Sequence, residues 1–138
     1  MKGGMSSLIR GLVALAAIVV VSGSSAAQSP PYGRWLAEDI NGGGVIDRLQ
    51  TTLDISPEGR ATGFGGCNNF MGSVTIDGTT VSFGPLASTR KACTPAVMDQ
   101  ENKFHQALSA AKGWRIDEQS KLVLTNAAGN VVAKLTRL

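Results

Sequence analysis

The central segment of the chain reads Gly63-Phe64-Gly65-Gly66-Cys67-Asn68-Asn69-Phe70-Met71-Gly72. Glycines, one cysteine and two asparagines interrupt a pattern that is otherwise typical of β-strands. Cys67 has one possible partner within the chain, Cys93. The sequence before this pair alternates as strands do, and a helical pattern follows it. The segment therefore lies where the strands and the helix of the fold are expected to meet.

The first 27 residues have the three parts of a secretory signal peptide. A short basic region precedes an apolar run over positions 11–21, and small residues at Ser25 and Ala27 fit the two subsites that signal peptidase reads. We predict cleavage before Gln28, with cleavage one residue earlier as the alternative. The apolar run is shorter than the roughly 20 residues that a membrane span needs, and an uncleaved anchor is the second alternative. No cysteine lies near this position, which excludes lipid attachment there.

Removal of residues 1–27 would leave 111 residues, the size of a single domain. Two of the thirteen basic residues lie in the leader and all ten acidic residues follow it, so the remaining chain has a net charge of +1. A nucleic-acid partner would need clustered Lys and Arg, which this balance does not favour. We expect a periplasmic or secreted monomer with no membrane span after cleavage.

Export changes the interpretation of the two cysteines, because an oxidising compartment favours a disulfide over free thiols. Cys67, Cys93 and the lone His105 cannot supply four zinc ligands without carboxylates. The cysteines also lack the Cys-x-x-Cys spacing of redox pairs. In the chain-entropy model, a bridge that closes the loop from 67 to 93 is worth about 3 to 4 kcal/mol. We therefore predict a structural disulfide, no metal and no cofactor.

Short extended segments separated by turn residues make up most of the chain. The predicted strands span residues 33–40, 51–56, 60–64, 70–76, 79–83, 114–117, 122–125 and 131–136. Pro57-Glu58-Gly59 and Asp77-Gly78 are the turn signals of two hairpins. Residues 28–32 are predicted to be a disordered lead-in, and residues 84–94 a loop.

One helix is predicted after Cys93. Thr94-Pro95 has the sequence of a helix start, in which threonine caps the first amides and proline occupies the first turn. Val97, Glu101 and Phe104 recur at helical spacing, and Gly113 is predicted to end the helix.

The strand and helix pattern predicts an α+β fold for residues 33–138. One helix cannot cover both faces of a sheet, and the strand connections are too short for parallel crossovers. We expect a strongly curved, mainly antiparallel sheet or partly open barrel of about eight short strands, with one α-helix packed against it.

The combination of these motifs resembles the META-domain (HslJ-like) family of bacterial envelope proteins. The residues that carry the resemblance are Gly66-Cys67-Asn68, Gly72, Thr89, Ala92-Cys93, Glu101 and Phe104, with a tryptophan strand at the start. Lys91 and Val74 depart from the methionine and the aromatic residue that the family often has there. The resemblance implies a small domain of periplasmic or outer-membrane-associated proteins without established enzymatic activity. Some relatives are linked to heat shock and to novobiocin resistance.

Several polar residues of the motif could contact a ligand or serve the fold. Gly65 and Gly66 could shape a ligand loop, but glycine also permits a bulge that aims a cysteine at its partner. Asn68 and Asn69 could present amides to a ligand, or bond to their own backbone. We favour the structural role for all four.

Glu101 is predicted to face the apolar core from the helix, where a carboxylate is costly unless it is paired. It could be a general acid, but no second carboxylate or nucleophile accompanies it. We favour an acceptor for backbone amides or for a hydroxyl such as that of Thr89, near the Cys67 loop.

The remaining candidates are His105, Trp35, Trp114 and Arg90-Lys91. A lone histidine is more often a partly buried side chain than a ligand, and two tryptophans at opposite ends of the domain are more simply core residues. Arg90-Lys91 is either a basic spot for an anionic partner or a solvated loop, and we favour the solvated loop.

No catalytic residues are predicted, so we expect a non-enzymatic protein that binds another envelope component or supports envelope stress tolerance. Two alternatives are a carrier of a small apolar ligand and a secreted inhibitor of a hydrolase. A carrier needs an apolar cavity of about 300 Å³ or more between helix and sheet. An inhibitor would use a rigid loop anchored by the disulfide.

Overall fold

The computed structural model describes residues 3, 11–20 and 29–138. The predicted cleavage site before Gln28 lies outside these residues. Positions 11–20 contain neither helix nor strand. Within the described ranges, no helix is both long and apolar enough to cross a membrane.

The described part of the chain contains nine strands and one helix. They are β1 (Gly33–Ile40), β2 (Thr52–Ile55), β3 (Arg60–Phe64), β4 (Asn69–Asp77), β5 (Thr80–Phe83), β6 (Ala87–Ser88), α1 (Pro95–Ala110), β7 (Gly113–Ile116), β8 (Leu122–Thr125) and β9 (Val131–Arg137). The strand order is β3-β2-β1-β9-β8-β7-β5-β4-β6, and β4 also pairs with β3. The sheet therefore curves into a ring, with β6 attached outside the closure. The predicted α+β fold is confirmed.

The two predicted hairpins are present and are antiparallel. β2 pairs with β3 across the turn that contains Gly59, whose φ is 85°. In the second hairpin, Val74 lies opposite Phe83 and Ile76 opposite Val81. Alternation with period two places Val74, Val81 and Phe83 inside the ring.

Between residue 84 and the strand after the helix, three details differ from the sequence prediction. The predicted loop over 84–94 contains β6, which raises the strand count to nine because it pairs with Phe70 and Met71 of β4. Thr94 occupies the N-cap position and Pro95 begins the helix, but the threonine side chain forms no capping hydrogen bond. The helix ends at Ala110, before Gly113. Sheet pairing prevails there, since the Lys112 amide donates to Thr125 and its carbonyl accepts from Val81.

The interior of the ring is one apolar cluster that joins the sheet and the helix. Trp35, Phe104 and Leu124 are completely buried within it. Both tryptophans are core residues, and the Trp35 indole donates to the Pro31 carbonyl at 2.9 Å. Pro31 is itself buried, so the end of the predicted lead-in packs against the domain.

The absence of a side chain at Gly63 lets β2, β3 and β4 pack closely. A Cβ atom at this position would lie 2.1 Å from the Thr52 carbonyl oxygen and 2.7 Å from the Phe70 ring. Phe70 meets Phe104 of the helix edge to face, with 6.0 Å between the ring centroids. Gly63 therefore leaves room for the Phe70 ring, through which the sheet contacts the helix.

We expect Gly63→Ala to lower the free energy of unfolding by about 1–3 kcal/mol, because the methyl group would force backbone or ring atoms apart. Chemical denaturation measures the change. Gly43→Ala is the matched control, since its added Cβ would meet only the Ile40 carbonyl oxygen, at an ordinary 3.5 Å. Equal effects of the two substitutions would contradict the close packing at Gly63.

Candidate functional site

A disulfide joins Cys67 to Cys93, as predicted, with 6.0 Å between their Cα atoms. Cys67 lies between β3 and β4 and is 5% exposed, whereas Cys93 lies on the surface just before α1. The bridge therefore ties the segment that precedes the helix to the centre of the sheet. No described cysteine is free.

The carboxylate of Glu101 lies at the centre of a hydrogen-bond network beside the disulfide. Its Oε1 atom accepts from the Cys67 amide at 3.1 Å and from the Asn68 amide at 2.6 Å. Its Oε2 atom accepts from the Asn68 side-chain nitrogen at 2.8 Å. Glu101 is 3% exposed, so these donors replace water around a buried charge.

Gly65 permits this approach of the helix to the strand connection. A Cβ atom on Gly65 would lie 2.6 Å from Cγ and 2.7 Å from Oε1 of Glu101. Gly66 has a φ of 129°, a conformation that glycine adopts without strain. The two glycines thus let the chain fold around the carboxylate while Cys67 reaches its partner.

The side chain of Asn68 connects Glu101 to the segment before the helix. Its Oδ1 atom accepts from the Lys91 amide at 2.6 Å and from the Thr89 hydroxyl at 3.0 Å. Its Nδ2 atom donates to the Lys91 carbonyl at 3.2 Å in addition to Glu101. The Thr89 hydroxyl, expected as a donor to Glu101, thus bonds to Asn68 instead. Asn68 is 2% exposed and its donors and acceptor are used within the protein.

Sequence reasoning missed a second buried polar pair, Thr51 and Gln100, which supports the same turn. Thr51 donates to the Gly65 carbonyl at 2.8 Å and accepts from Gln100 at 3.0 Å. The Gln100 carbonyl oxygen also accepts from the Ile46 amide at 2.7 Å. A signal was available for Gln100, because helical spacing from Phe104 places it on the buried face beside Glu101.

Burial and hydrogen bonding act in opposite directions on the pKa of Glu101. Burial raises it, but the side-chain and backbone donors of Asn68, the Cys67 amide and the charge of His105 together hold the pKa below its ordinary value. Burial lowers the pKa of His105, and the charge of Glu101 partly opposes this. The network therefore favours an ionised carboxylate, which is suited to accepting hydrogen bonds rather than donating a proton at neutral pH.

The side chains of the other sequence candidates form no hydrogen bond with Glu101 or Asn68, although the Lys91 backbone bonds to Asn68 and the charge of His105 acts on Glu101. Asn69 is exposed at the start of β4, and His105 contacts Phe70 at a centroid distance of 5.3 Å. Gly72 leaves room for the connection between β5 and β6, since its Cβ would lie 2.9 Å from the Pro85 carbonyl oxygen. Arg90 and Lys91 are exposed.

The surface grooves and the distribution of metal-ligating residues test whether the protein could hold a small ligand or a metal. A groove between positions 43–46 and α1 has a volume of about 200 Å³, below the size typical of ligand pockets. A depression of about 700 Å³ lies on the outside and is bordered by polar and small residues such as Ser56 and Ser73. Neither is an apolar cavity between helix and sheet, so they do not favour a carrier. The described residues contain no group of three potential metal ligands among His, Cys, Asp and Glu.

We expect Glu101→Gln to lower the free energy of unfolding by about 2 kcal/mol at neutral pH, since charge-assisted hydrogen bonds are lost and an amide nitrogen would face that of Asn68. In the folded state the pKa of Glu101 lies below its ordinary value of 4.5. The ionised carboxylate therefore stabilises the fold fully above that pH, and this stabilisation is lost as the pH falls through the folded pKa. The difference between the two proteins should therefore shrink below about pH 4.5.

Denaturation at several pH values measures this difference. Glu118→Gln is the control, because Glu118 is exposed on the turn after β7 and should differ little from the unsubstituted protein at any pH. A destabilisation by Glu101→Gln that is the same at pH 3 and pH 7 would contradict the role of the ionised carboxylate.

We expect the double substitution Cys67→Ala and Cys93→Ala to lower the free energy of unfolding by about 3–4 kcal/mol, because a closed loop is released in the unfolded chain. Reduction of the unsubstituted protein with dithiothreitol should produce a similar loss. An unchanged denaturation midpoint in both experiments would show that the bridge does not stabilise the fold.

Comparisons with known proteins agree with this architecture. The family model of the META domain matches residues 28–137. The chain is similar to a protein from Burkholderia xenovorans solved by NMR, with 26% identity and a TM-score of 0.62 over 77% of this chain and 81% of that one. A second protein solved by NMR shows 22% identity and a TM-score of 0.56 over 76% of this chain and 88% of that one. The search of curated proteins found no match. The family match covers most of the chain, and the protein belongs to the META-domain family.

Proposed function

We propose that this META-domain protein is exported and acts without enzymatic activity, by binding another component of the bacterial envelope. Support of envelope tolerance to stress, of the kind linked to some relatives, would follow from such binding. The observation that carries the proposal is the Cys67–Cys93 disulfide, which holds an exposed segment on a rigid, buried polar network.

The disulfide supports export because such bonds persist in oxidising compartments and are rare in the cytosol. The disulfide is built into the interior of the fold, since Cys67 is buried and its backbone amide donates a hydrogen bond to the Glu101 carboxylate. The signal-peptide pattern over residues 1–27 supports the same compartment independently.

Binding is favoured over catalysis because the Glu101 carboxylate and the two cysteine thiols are engaged within the fold. Both carboxylate oxygens of Glu101 accept hydrogen bonds from the Cys67–Asn68 turn, and the thiols of Cys67 and Cys93 are joined. By contrast, residues 87–96 are exposed throughout, although the disulfide and Asn68 hold them in place. A surface that is both exposed and preorganised loses little entropy on binding.

The same observation favours one second candidate, a secreted inhibitor of a hydrolase. Protein inhibitors present a rigid exposed segment to the enzyme, and residues 87–96 have both properties. Assays against proteases and lysozymes distinguish an inhibitor from a protein that binds a non-enzymatic component.

We expect N-terminal sequencing of the protein from a periplasmic fraction to begin at Gln28. We also expect the processed protein, immobilised as bait, to retain a specific envelope component that mass spectrometry can identify. The variant with Cys67→Ala and Cys93→Ala is the control bait and should retain less of it, because the exposed segment loses its anchor.

Two results would contradict the proposal. A cytosolic protein that keeps residues 1–27 would exclude export. An envelope component retained equally by the unsubstituted and the disulfide-free bait would show that the anchored segment is not the binding surface.

A further inference from the structure

The strand β6 forms one edge of the sheet. It is the last strand in the pairing order, and it contacts β4 through the pairs Met71–Ala87 and Phe70–Ser88. The Thr89 amide continues this ladder by donating to the Asn69 carbonyl at 3.0 Å. In an antiparallel ladder the backbone groups of successive residues point to opposite edges. The backbone N–H and C=O groups of Ala87 and Thr89 therefore point towards β4, and those of Ser88 point away from it.

The side chain of Asn68 extends this ladder beyond the end of β4. Its amide accepts from the Lys91 N–H at 2.6 Å and donates to the Lys91 C=O at 3.2 Å. These are the two bonds that the backbone of a paired strand residue would supply. Lys91 is thus held in register with Ala87 and Thr89, and the alternation turns the backbone groups of Arg90 to the same outer edge as those of Ser88.

We define the edge segment as residues 87–91. All five residues are exposed. The disulfide at Cys93 and the Glu101 carboxylate, which holds Asn68, fix the segment from the inside. Proteins usually cover a strand edge or protect it with a very short strand and charged side chains, since unpaired backbone groups pair readily with another chain. Here β6 is only two residues long and is followed by the cations Arg90 and Lys91, so pairing is favoured only for a strand of opposite charge, and a buried network maintains the shape of the exposed segment.

The charge of the edge segment indicates the chemistry of its partner. Arg90 and Lys91 form no ion pair with a carboxylate of a described residue, because the four ion pairs of those parts of the chain involve other cations. Glu101, which lies behind the segment, is buried and already accepts three hydrogen bonds. Two adjacent uncompensated positive charges at a strand edge favour a strand that carries carboxylates.

We propose that the edge segment binds an extended acidic peptide segment of a partner protein, which pairs with the outer side of the edge segment as a further strand next to β6. Main-chain bonds to Ser88 and Arg90 supply the pairing, and Arg90 and Lys91 select for acidic side chains. This inference deepens the proposed function, on which it rests, because it assigns a surface and a class of partner to the binding protein.

The test uses the purified protein and the synthetic peptide acetyl-Thr-Val-Glu-Glu-Val-Glu-Thr-amide, which carries carboxylates on both faces of a strand because Arg90 and Lys91 point to opposite faces, followed by amide NMR. We expect saturable shifts at Ser88 and Arg90 and slower hydrogen exchange of their amides at millimolar peptide. The same peptide with lysine in place of glutamate, and one N-methylated at alternate positions, should bind about fivefold more weakly or worse, since they lose charge attraction or strand pairing.

A charge reversal on the protein provides the matched pair of variants. Arg90→Glu should weaken binding of the acidic peptide about fivefold, whereas Arg115→Glu, on the exposed face of β7, should leave it unchanged. The amide spectrum of each variant verifies that it is folded.

Four results would overturn the proposal. They are the absence of shifts at millimolar acidic peptide, shifts confined to another surface, equal binding of the N-methylated peptide, and protection of Ser88 and Arg90 by dimerisation without peptide. An envelope component that the Arg90→Glu protein retains as well as the unsubstituted protein does would overturn the edge assignment while the proposed binding function stands.

Discussion

The fold depends on how the buried carboxylate of Glu101 is compensated. An isolated charge in the interior is costly, and this one is balanced by three donors from two consecutive residues, Cys67 and Asn68. Because Glu101 is on the helix and its donors lie between two strands, the compensation also joins α1 to the sheet. Loss of one partner would leave the others unpaired in the interior.

The disulfide and the carboxylate constrain the same region in different ways. The disulfide reduces the conformational entropy of the unfolded chain, whereas the hydrogen bonds of Glu101 and Asn68 set the geometry of the folded chain. Together they hold the chain between β6 and the helix, which has few apolar contacts of its own because residues 87–96 are exposed. The position of this segment is therefore set by polar groups and a covalent bond rather than by a local core.

The strands, hairpins and buried face of the helix could be predicted because their signals are local. Alternation and turn residues identify strands, and helical spacing placed Glu101 among apolar positions. The Lys91–Asn68 bonds and the Thr51–Gln100 pair could not be predicted, since their partners lie 23 and 49 residues apart. The strand β6 was missed for a similar reason, because two residues show no alternation and only the pairing with β4 makes them a strand.

The sequence alone was sufficient for the α+β class, the pairing of two cysteines and the buried position of Glu101, because period, turn chemistry and cysteine number are properties of short stretches of chain. Tertiary structure decided which donors bind the carboxylate, that the Asn68 side chain pairs with the Lys91 backbone, and that residues 87–91 are exposed. These features arise where the sheet closes on itself and brings distant residues together, and no local pattern encodes that closure.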